Sequence, residues 1–332
     1  MRSHECERCT HGCARHFGDG KRRGARRREP AESRLQPGLV APQSMMRLAY
    51  LGTPAFAVPT LERIVAAGHE VLSVLTQPDR PRGRGQQLAQ SPVKEAALRL
   101  GLPVYQPERV RKPEAVEHLR SLGADAMVVV GYGQIIPQSV IDLVPNGIIN
   151  VHASLLPKYR GAGPIQWAIV HGETRTGVTT MRIDAGLDTG DMLLKAETEI
   201  GPDENAVELG QRLAVTGADL LVKTLDGLAS IIPEKQDNAQ ASYAPMLKKE
   251  DGLIDWNWPV EAIHNRVRGL QPWPGAYTMF RGQRFYIWKT RVDGGSVTLV
   301  EVQLEGRKRM PAADFANGQR LSENELWGEL RQ

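Results

Sequence analysis

The order of apolar and polar residues in this chain predicts an α/β fold: a Rossmann-like, doubly wound and mostly parallel sheet, then a smaller second domain. Three observations carry that prediction. Short apolar runs alternate with amphipathic helical stretches between residues 47 and 227, as in the strand–helix–strand units of a parallel sheet. One run, 148–152, ends in Asn-x-His and leads through a Gly/Pro turn into a helix, and parallel strands present functional groups at such carboxyl ends. A Pro/Gln/Asn-rich stretch, 232–250, has linker composition and precedes a region of short β segments.

Taken in order, 47–51 reads as a strand entering Gly52-Thr53-Pro54. A helix with Leu61, Ile64 and Val65 on one face follows and stops at Gly68. Residues 69–75 form the next strand, and 76–85 a loop carrying Arg80, Arg82 and Arg84. Ser91-Pro92 places a capping hydroxyl ahead of a proline at the first helical position, with helix to Leu100 and Gly101 as its stop. Strand 103–106, helix 114–122, strand 126–130 and helix 137–143 complete the alternation. Residues 205–227 read as a long amphipathic helix with Val207, Leu209, Leu213, Leu220 and Leu221 on its apolar side. Beyond the linker, 254–256, 277–280 and 284–289 read as β segments and 259–268 as helix. No Gly-x-Gly-x-x-Gly follows the first strand, which removes the main support for a dinucleotide site.

Candidate chemistry gathers around 148–191. Asn150 and His152 stand two apart on a strand and so share a face. Gly161 and Gly163 open the turn into helix 165–171, and a Gly-flanked loop, 186–191, carries Asp188 after strand 177–183. Singly, these are ordinary polar groups of strand ends and turns. Together, an amide, an imidazole and a carboxylate on one strand–loop–helix unit read as an active site. No metal and no covalent nucleophile is required.

Composition narrows the class. No apolar run approaches the roughly 20 residues needed to span a bilayer. The formal charge of +4 is concentrated at one end, because residues 1–46 hold ten Lys/Arg against five Asp/Glu, which leaves the rest close to −1. Nucleic acid would therefore meet local patches, not a basic body. Cys6, Cys9 and Cys13 lie beside His4, His11 and His16, a spacing that invites a zinc reading. The tract has almost no aliphatic residues, so a disordered extension or a mis-assigned start over 1–45 is the leading expectation. A cysteine-free body fits a reducing compartment.

The stretch Ser154-Leu155-Leu156-Pro157-x-x-Arg160-Gly161-x-x-Pro164-Ile165 resembles the signature of the folate-dependent formyltransferases. The likeness runs from near Met46 almost to the C-terminus and is strongest to the branch that acts on charged initiator tRNA. It implies a formyltransferase fold at 46–231 and a C-terminal oligonucleotide-binding (OB-like) barrel at 251–332 with the signature Gln271-Pro272-Trp273-Pro274-Gly275-Ala276. It implies 10-formyltetrahydrofolate as donor, the α-amine of methionyl initiator tRNA as acceptor, and catalysis by Asn150, His152 and Asp188. Asn150 and His152 would donate to an oxyanion, and Asp188 would orient His152 and take up the amine proton. Ser154, Leu155, Leu156, Pro157, Val130, Gly131 and Tyr132 would line the folate pocket, and Arg80, Arg82 and Arg84 would clamp tRNA phosphates. A bacterial cytoplasmic monomer for translation initiation is the corresponding expectation, ahead of an organelle matrix. The alternatives are a formyltransferase for a sugar nucleotide or another small amine, and a non-catalytic RNA-binding module. One departure stands out: Arg291–Gly295 joins two segments between which the family has further strands, so the barrel is expected to be shortened.

Overall fold

The structure, a computed structural model, describes residues 45–82 and 87–330. The Cys6–Cys9–Cys13 tract, with its zinc and disordered-extension readings, and Arg84 lie outside the described residues, as does the Arg82 side chain.

Alternation of strand and helix is realised as β1 (Arg47–Gly52), α1 (Val58–Ala66) and β2 (Glu70–Leu75). The Arg loop that follows contains a short hairpin, β3 (Arg80–Arg82) with β4 (Gln87–Ala89), where sequence predicted only loop. Next come α2 (Pro92–Arg99), β5 (Val104–Tyr105), α3 (Pro113–Leu122), β6 (Ala126–Val130), α4 (Gln138–Ile141) and β7 (Ile148–His152). The predicted cap is present: the Ser91 hydroxyl accepts from the Lys94 N–H at 3.0 Å. After β8 (Arg160–Gly161) and α5 (Pro164–Val170), the chain runs through β9 (Arg175–Arg182), β10 (Met192–Glu199) and α6 (Ala206–Gly227). Asn205 and Glu208 form a reciprocal capping box at the start of α6. Its apolar face omits Val207, which is 38% exposed, because that residue sits in the first turn on the solvent side.

The strands form one sheet in the order β10-β9-β7-β6-β1-β2-β5. β7, β6, β1, β2 and β5 are parallel; β9 runs antiparallel to β7, and β10 to β9. β10 was not read from sequence, because its alternation of half-buried and exposed residues is that of a solvated edge strand. The chain leaves β1 on one side through β2 and β5, then returns to β6 on the other. Such a reversal opens a crevice at the carboxyl ends of β1 and β6, the usual ligand position in doubly wound sheets.

Strand periodicity splits the core. Leu48, Tyr50, Val128, Ile149 and Val151 face α1, α2, α5 and α6, while Ala49, Leu51, Met127, Val129 and Ile148 face α3 and α4. Each fully buried Leu or Ile contributes about 2 kcal/mol by burial. Since Ile149 and Val151 take one face of β7, Asn150 and His152 fall with Ile148 on the other.

The connector after α6 is hydrogen-bonded to the first domain. Glu234 exchanges two 2.8 Å backbone hydrogen bonds with Met192, and β11 (Tyr243–Ala244) pairs in parallel with β8. The second domain holds α7 (Val260–Gly269), β12 (Ala276–Phe280), β13 (Gln283–Asp293), β14 (Ser296–Leu304), β15 (Met310–Pro311), α8 (Ala312–Gln319) and α9 (Glu323–Leu330). β12 to β15 form a four-stranded antiparallel sheet around Phe280, Phe285, Ile287, Val302 and Phe315. At the expected shortening, β13 turns directly into β14 through Gly294 and Gly295, both at positive φ. Residues 254–256, read as β from sequence, lie outside the named strands. Helices α8 and α9 were not read from sequence, and α9 closes one edge: Thr278 donates to the Leu330 carbonyl, and Trp327 meets Trp256 edge-on at 5.0 Å. Trp256 and Trp258 pack on this core, whereas Trp273 is 50% exposed. Among the described residues, no helix is long and apolar enough to cross a membrane.

Candidate active site

β7 delivers Asn150 and His152 to the carboxyl end of the sheet, at 9% and 6% exposure. Among the described residues the Asn150 side chain has no hydrogen-bond partner. The amide is not fully shut off from solvent, unlike the enclosed and unpaired Tyr132 hydroxyl, so its donor is available to a ligand. His152 is different. Its Nε2 lies 2.8 Å from the Tyr159 carbonyl oxygen, which can only accept, so Nε2 carries a proton and donates. The neutral ring therefore keeps its lone pair on Nδ1, which stands 3.7 Å from Oδ2 of Asp188. That distance is an electrostatic approach, not a hydrogen bond.

The segment after β7 is wired back to the sheet. The Ser154 hydroxyl donates to the Lys158 carbonyl at 2.6 Å, and Thr179 of β9 donates to the Ser154 carbonyl at 2.7 Å while accepting from the Leu156 N–H. Leu156 packs with Met181 and Met192. Tyr159, at φ 59°, donates its hydroxyl to Glu173, and burial first, then that contact, pushes its titration well above the ordinary range.

Asp188 also sits in the left-handed region, at φ 52°. That conformation costs a non-glycine residue about 1 kcal/mol, less for Asp than for bulkier types, and persists only where neighbours hold it. They do. Oδ2 of Asp188 accepts from the Gly161 N–H at 2.9 Å, and its carbonyl accepts from Nε2 of Gln236 at 2.8 Å. Gly161 (φ 114°) must be glycine, since a Cβ would stand 2.7 Å from the Ala244 carbonyl oxygen across the β8–β11 pair.

The other predicted residues divide. Val130 is fully buried in the core, and Gly131 is exposed at the carboxyl end of β6. Tyr132 is buried, and its carbonyl accepts from the Thr53 hydroxyl at 3.0 Å and from Gln77 at 3.1 Å, which ties the ends of β1 and β6 together. Ser154 and Leu156, at 0% and 1% exposure, shape the site through the backbone; Leu155 and Pro157 are half-buried. Arg80 is exposed on its hairpin, which follows β2 in the chain and forms a separate two-stranded sheet. Sequence reasoning missed Gln236 and the structural part of Arg160. Arg160 is 3% exposed and donates to Oε1 of Gln236 and to Oδ1 of Asn238, both at 2.9 Å. Residues of a polar linker gave no periodic signal that could have singled them out.

This arrangement offers a buried amide donor, an imidazole lone pair and an oriented carboxylate at one strand end. It can stabilise an oxyanion and accept a proton, as acyl transfer to an amine requires. The chain matches the formyl transferase family over residues 46–225 and that family's C-terminal domain over 246–296. It is 72% identical over 308 residues to a methionyl-tRNA formyltransferase of Solibacter usitatus (strain Ellin6076), covering 86% of this chain and 99% of the relative. A solved N-formyltransferase from Helicobacter canadensis, in complex with folinic acid and dTDP-3-aminofucose, superposes with a TM-score of 0.59 at 19% identity, covering 80% of this chain and 99% of that one. A methionyl-tRNA formyltransferase from Clostridium thermocellum superposes with a TM-score of 0.53 at 16% identity, covering 78% and 99%. The two solved structures share the fold.

Proposed function

The chain belongs to the formyl transferase family, and from that premise we propose that it transfers the formyl group of 10-formyltetrahydrofolate to the α-amine of methionyl initiator tRNA. It is a one-carbon transferase of protein biosynthesis, working in the bacterial cytoplasm to supply translation initiation. The observation that supports the reading most is the convergence of Asn150, His152 and Asp188 in a chain so close to a methionyl-tRNA formyltransferase. The sugar-nucleotide alternative rests on relatives near 19% identity and is the weaker reading.

Attack of the amine on a formyl carbon puts negative charge on the carbonyl oxygen and positive charge on nitrogen. Asn150, buried and otherwise unpaired, donates to that oxygen. One such donor is worth about 10²–10³ in rate. Asp188, oriented by the Gly161 N–H, takes the proton from nitrogen directly or through Nδ1 of His152. His152 becomes a second oxyanion donor only when Nδ1 holds that proton, because its Nε2–H is committed to Tyr159. The tetrahedral adduct then collapses: the bond from the formyl carbon to N10 of the folate breaks, and that nitrogen leaves with the proton returned from Asp188 or Nδ1 of His152. Gly131, with no side chain, and the backbone-tied turn at Ser154–Pro157 form the floor that would receive the folate. Exposed Arg80, with its loop neighbours Arg82 and Arg84, supplies forks for acceptor-end phosphates.

The test is formylation of charged initiator tRNA by the purified chain supplied with 10-formyltetrahydrofolate. Turnover on methionyl-tRNA with none on amino-sugar nucleotides is expected. Turnover on the sugar alone would overturn the acceptor assignment, and turnover on neither, with RNA still bound, would favour the binding module.

A further inference from the structure

Gln236, in the connector between the two domains, hydrogen-bonds to the loop that carries Asp188. Gln236 uses its whole amide: Nε2 donates to the carbonyls of Asp188 and Gly190, both at 2.8 Å, and Oε1 accepts from Nε of Arg160 at 2.9 Å. Arg160 is itself buried and held by Asn238. The residue next to it, Gly161, fixes the Asp188 carboxylate through its N–H. Asp188 is thus gripped at both ends, by Gln236 at its carbonyl and by Gly161 at its carboxylate, in a left-handed backbone conformation that these contacts help to hold. The two grips join through Arg160.

We propose that Gln236 is a positioning residue for Asp188: through the main chain of the 188–190 turn it sets the carboxylate for proton transfer, and it ties that geometry to the connector leading to the second domain. This rests on the assignment of Asp188 as proton acceptor. Gln is the residue type the contact needs, because the two carbonyls require two N–H donors while Arg160 requires an acceptor. Glu would keep the pairing with Arg160 but turn an anion toward two carbonyl oxygens.

The experiment compares the full chain with Gln236→Leu, Gln236→Glu, Asp188→Asn and the Asp188→Asn/Gln236→Leu double variant in formylation of methionyl-tRNA. Both Gln236 variants are expected to lower kcat by roughly 10- to 100-fold, as small misplacements of reacting groups do, with KM for both substrates within about twofold. In the Asp188→Asn background, Gln236→Leu should cost less than about twofold, since the residue it serves is already disabled. A Gln236→Glu variant as active as wild type, a change in KM alone, or losses that multiply in the double variant would each overturn the proposal. Amide hydrogen exchange supplies a readout that needs no turnover. Exchange across 184–191 should quicken in Gln236→Leu while β1 and β6 stay protected, and unchanged exchange there would also overturn it. Absence of formylation by the wild-type chain, with faster exchange in the variant, would count against the substrate reading and leave the positioning role standing.

Discussion

At the residue scale, the proposed reaction depends on which atoms are already occupied. Nε2 of His152 is spent on the Tyr159 carbonyl, so the proposal assigns proton traffic to Nδ1 and Asp188, while Asn150 keeps an unpaired donor. Replacing Asn150 by Ala is expected to lower kcat by about 10²–10³ with little change in thermal stability, because it removes an oxyanion donor and no internal hydrogen bond. Asp188→Asn should lower kcat at least as strongly while tRNA affinity, measured by filter binding, stays within about twofold. Loss of tRNA binding in step with kcat would place Asp188 in acceptor docking instead. Strand period puts Asn150 and His152 on one face of β7, whereas the approach of Asp188 to His152 is a tertiary contact. Gln236 was not legible in the sequence, since its partners are backbone carbonyls 48 and 46 residues away.

At the scale of elements, local capping and the fit between neighbours decide what holds. The capping box of α6 satisfies the N–H groups of Val207 and Glu208, and Asn205→Ala is expected to cost about 1 kcal/mol, read as a fall in Tm of a few degrees. Just before it, Glu204 has a pH signature. Burial opposes its ionisation, but the hydrogen bonds from Arg212 and the Gly201 N–H, and the charges of Arg212 and Arg268, outweigh burial and hold its carboxyl below the ordinary carboxylate range. A lowered folded value means the contribution is fully present above the unfolded value and lost as pH falls through the folded one. Glu204→Gln should therefore destabilise by roughly 1–2 kcal/mol at neutral pH, and the gap to wild type should close in acid. A gap that stays constant from neutral pH into acid, by thermal unfolding, would refute that origin. Most of these elements were readable, since buried parallel strands are continuous apolar runs. β10, α8 and α9 were not, because edge strands and short helices carry weak periodicity.

At the scale of the whole molecule, the second domain is joined to the first by contacts as specific as those within either. Arg268 of α7, 7% exposed, donates to the carbonyls of Gly201 and Glu204, both at 3.0 Å, and His264 meets the Pro202 carbonyl at 3.3 Å. Arg268→Met should loosen this docking, raising KM for tRNA more than KM for the folate donor; equal effects would indicate general unfolding. The family match begins at residue 46 and β1 at residue 47. A chain starting at Met46 is accordingly expected to formylate tRNA at the full-length rate, and a large loss would assign residues 1–45 a role.

Periodicity and residue type alone determined the doubly wound domain, the strand that ends in Asn150 and His152, and the loop of Asp188, since all three are properties of neighbouring residues. The signature from Ser154 to Ile165 added the family. Only the tertiary structure decided that the sheet ends in an antiparallel pair, that the His152 imidazole has Nε2 already bonded, and that a polar connector clamps the turn of Asp188. Those features arise from hydrogen bonds between residues far apart in sequence, frequently to backbone atoms, which every residue carries and no side-chain pattern announces.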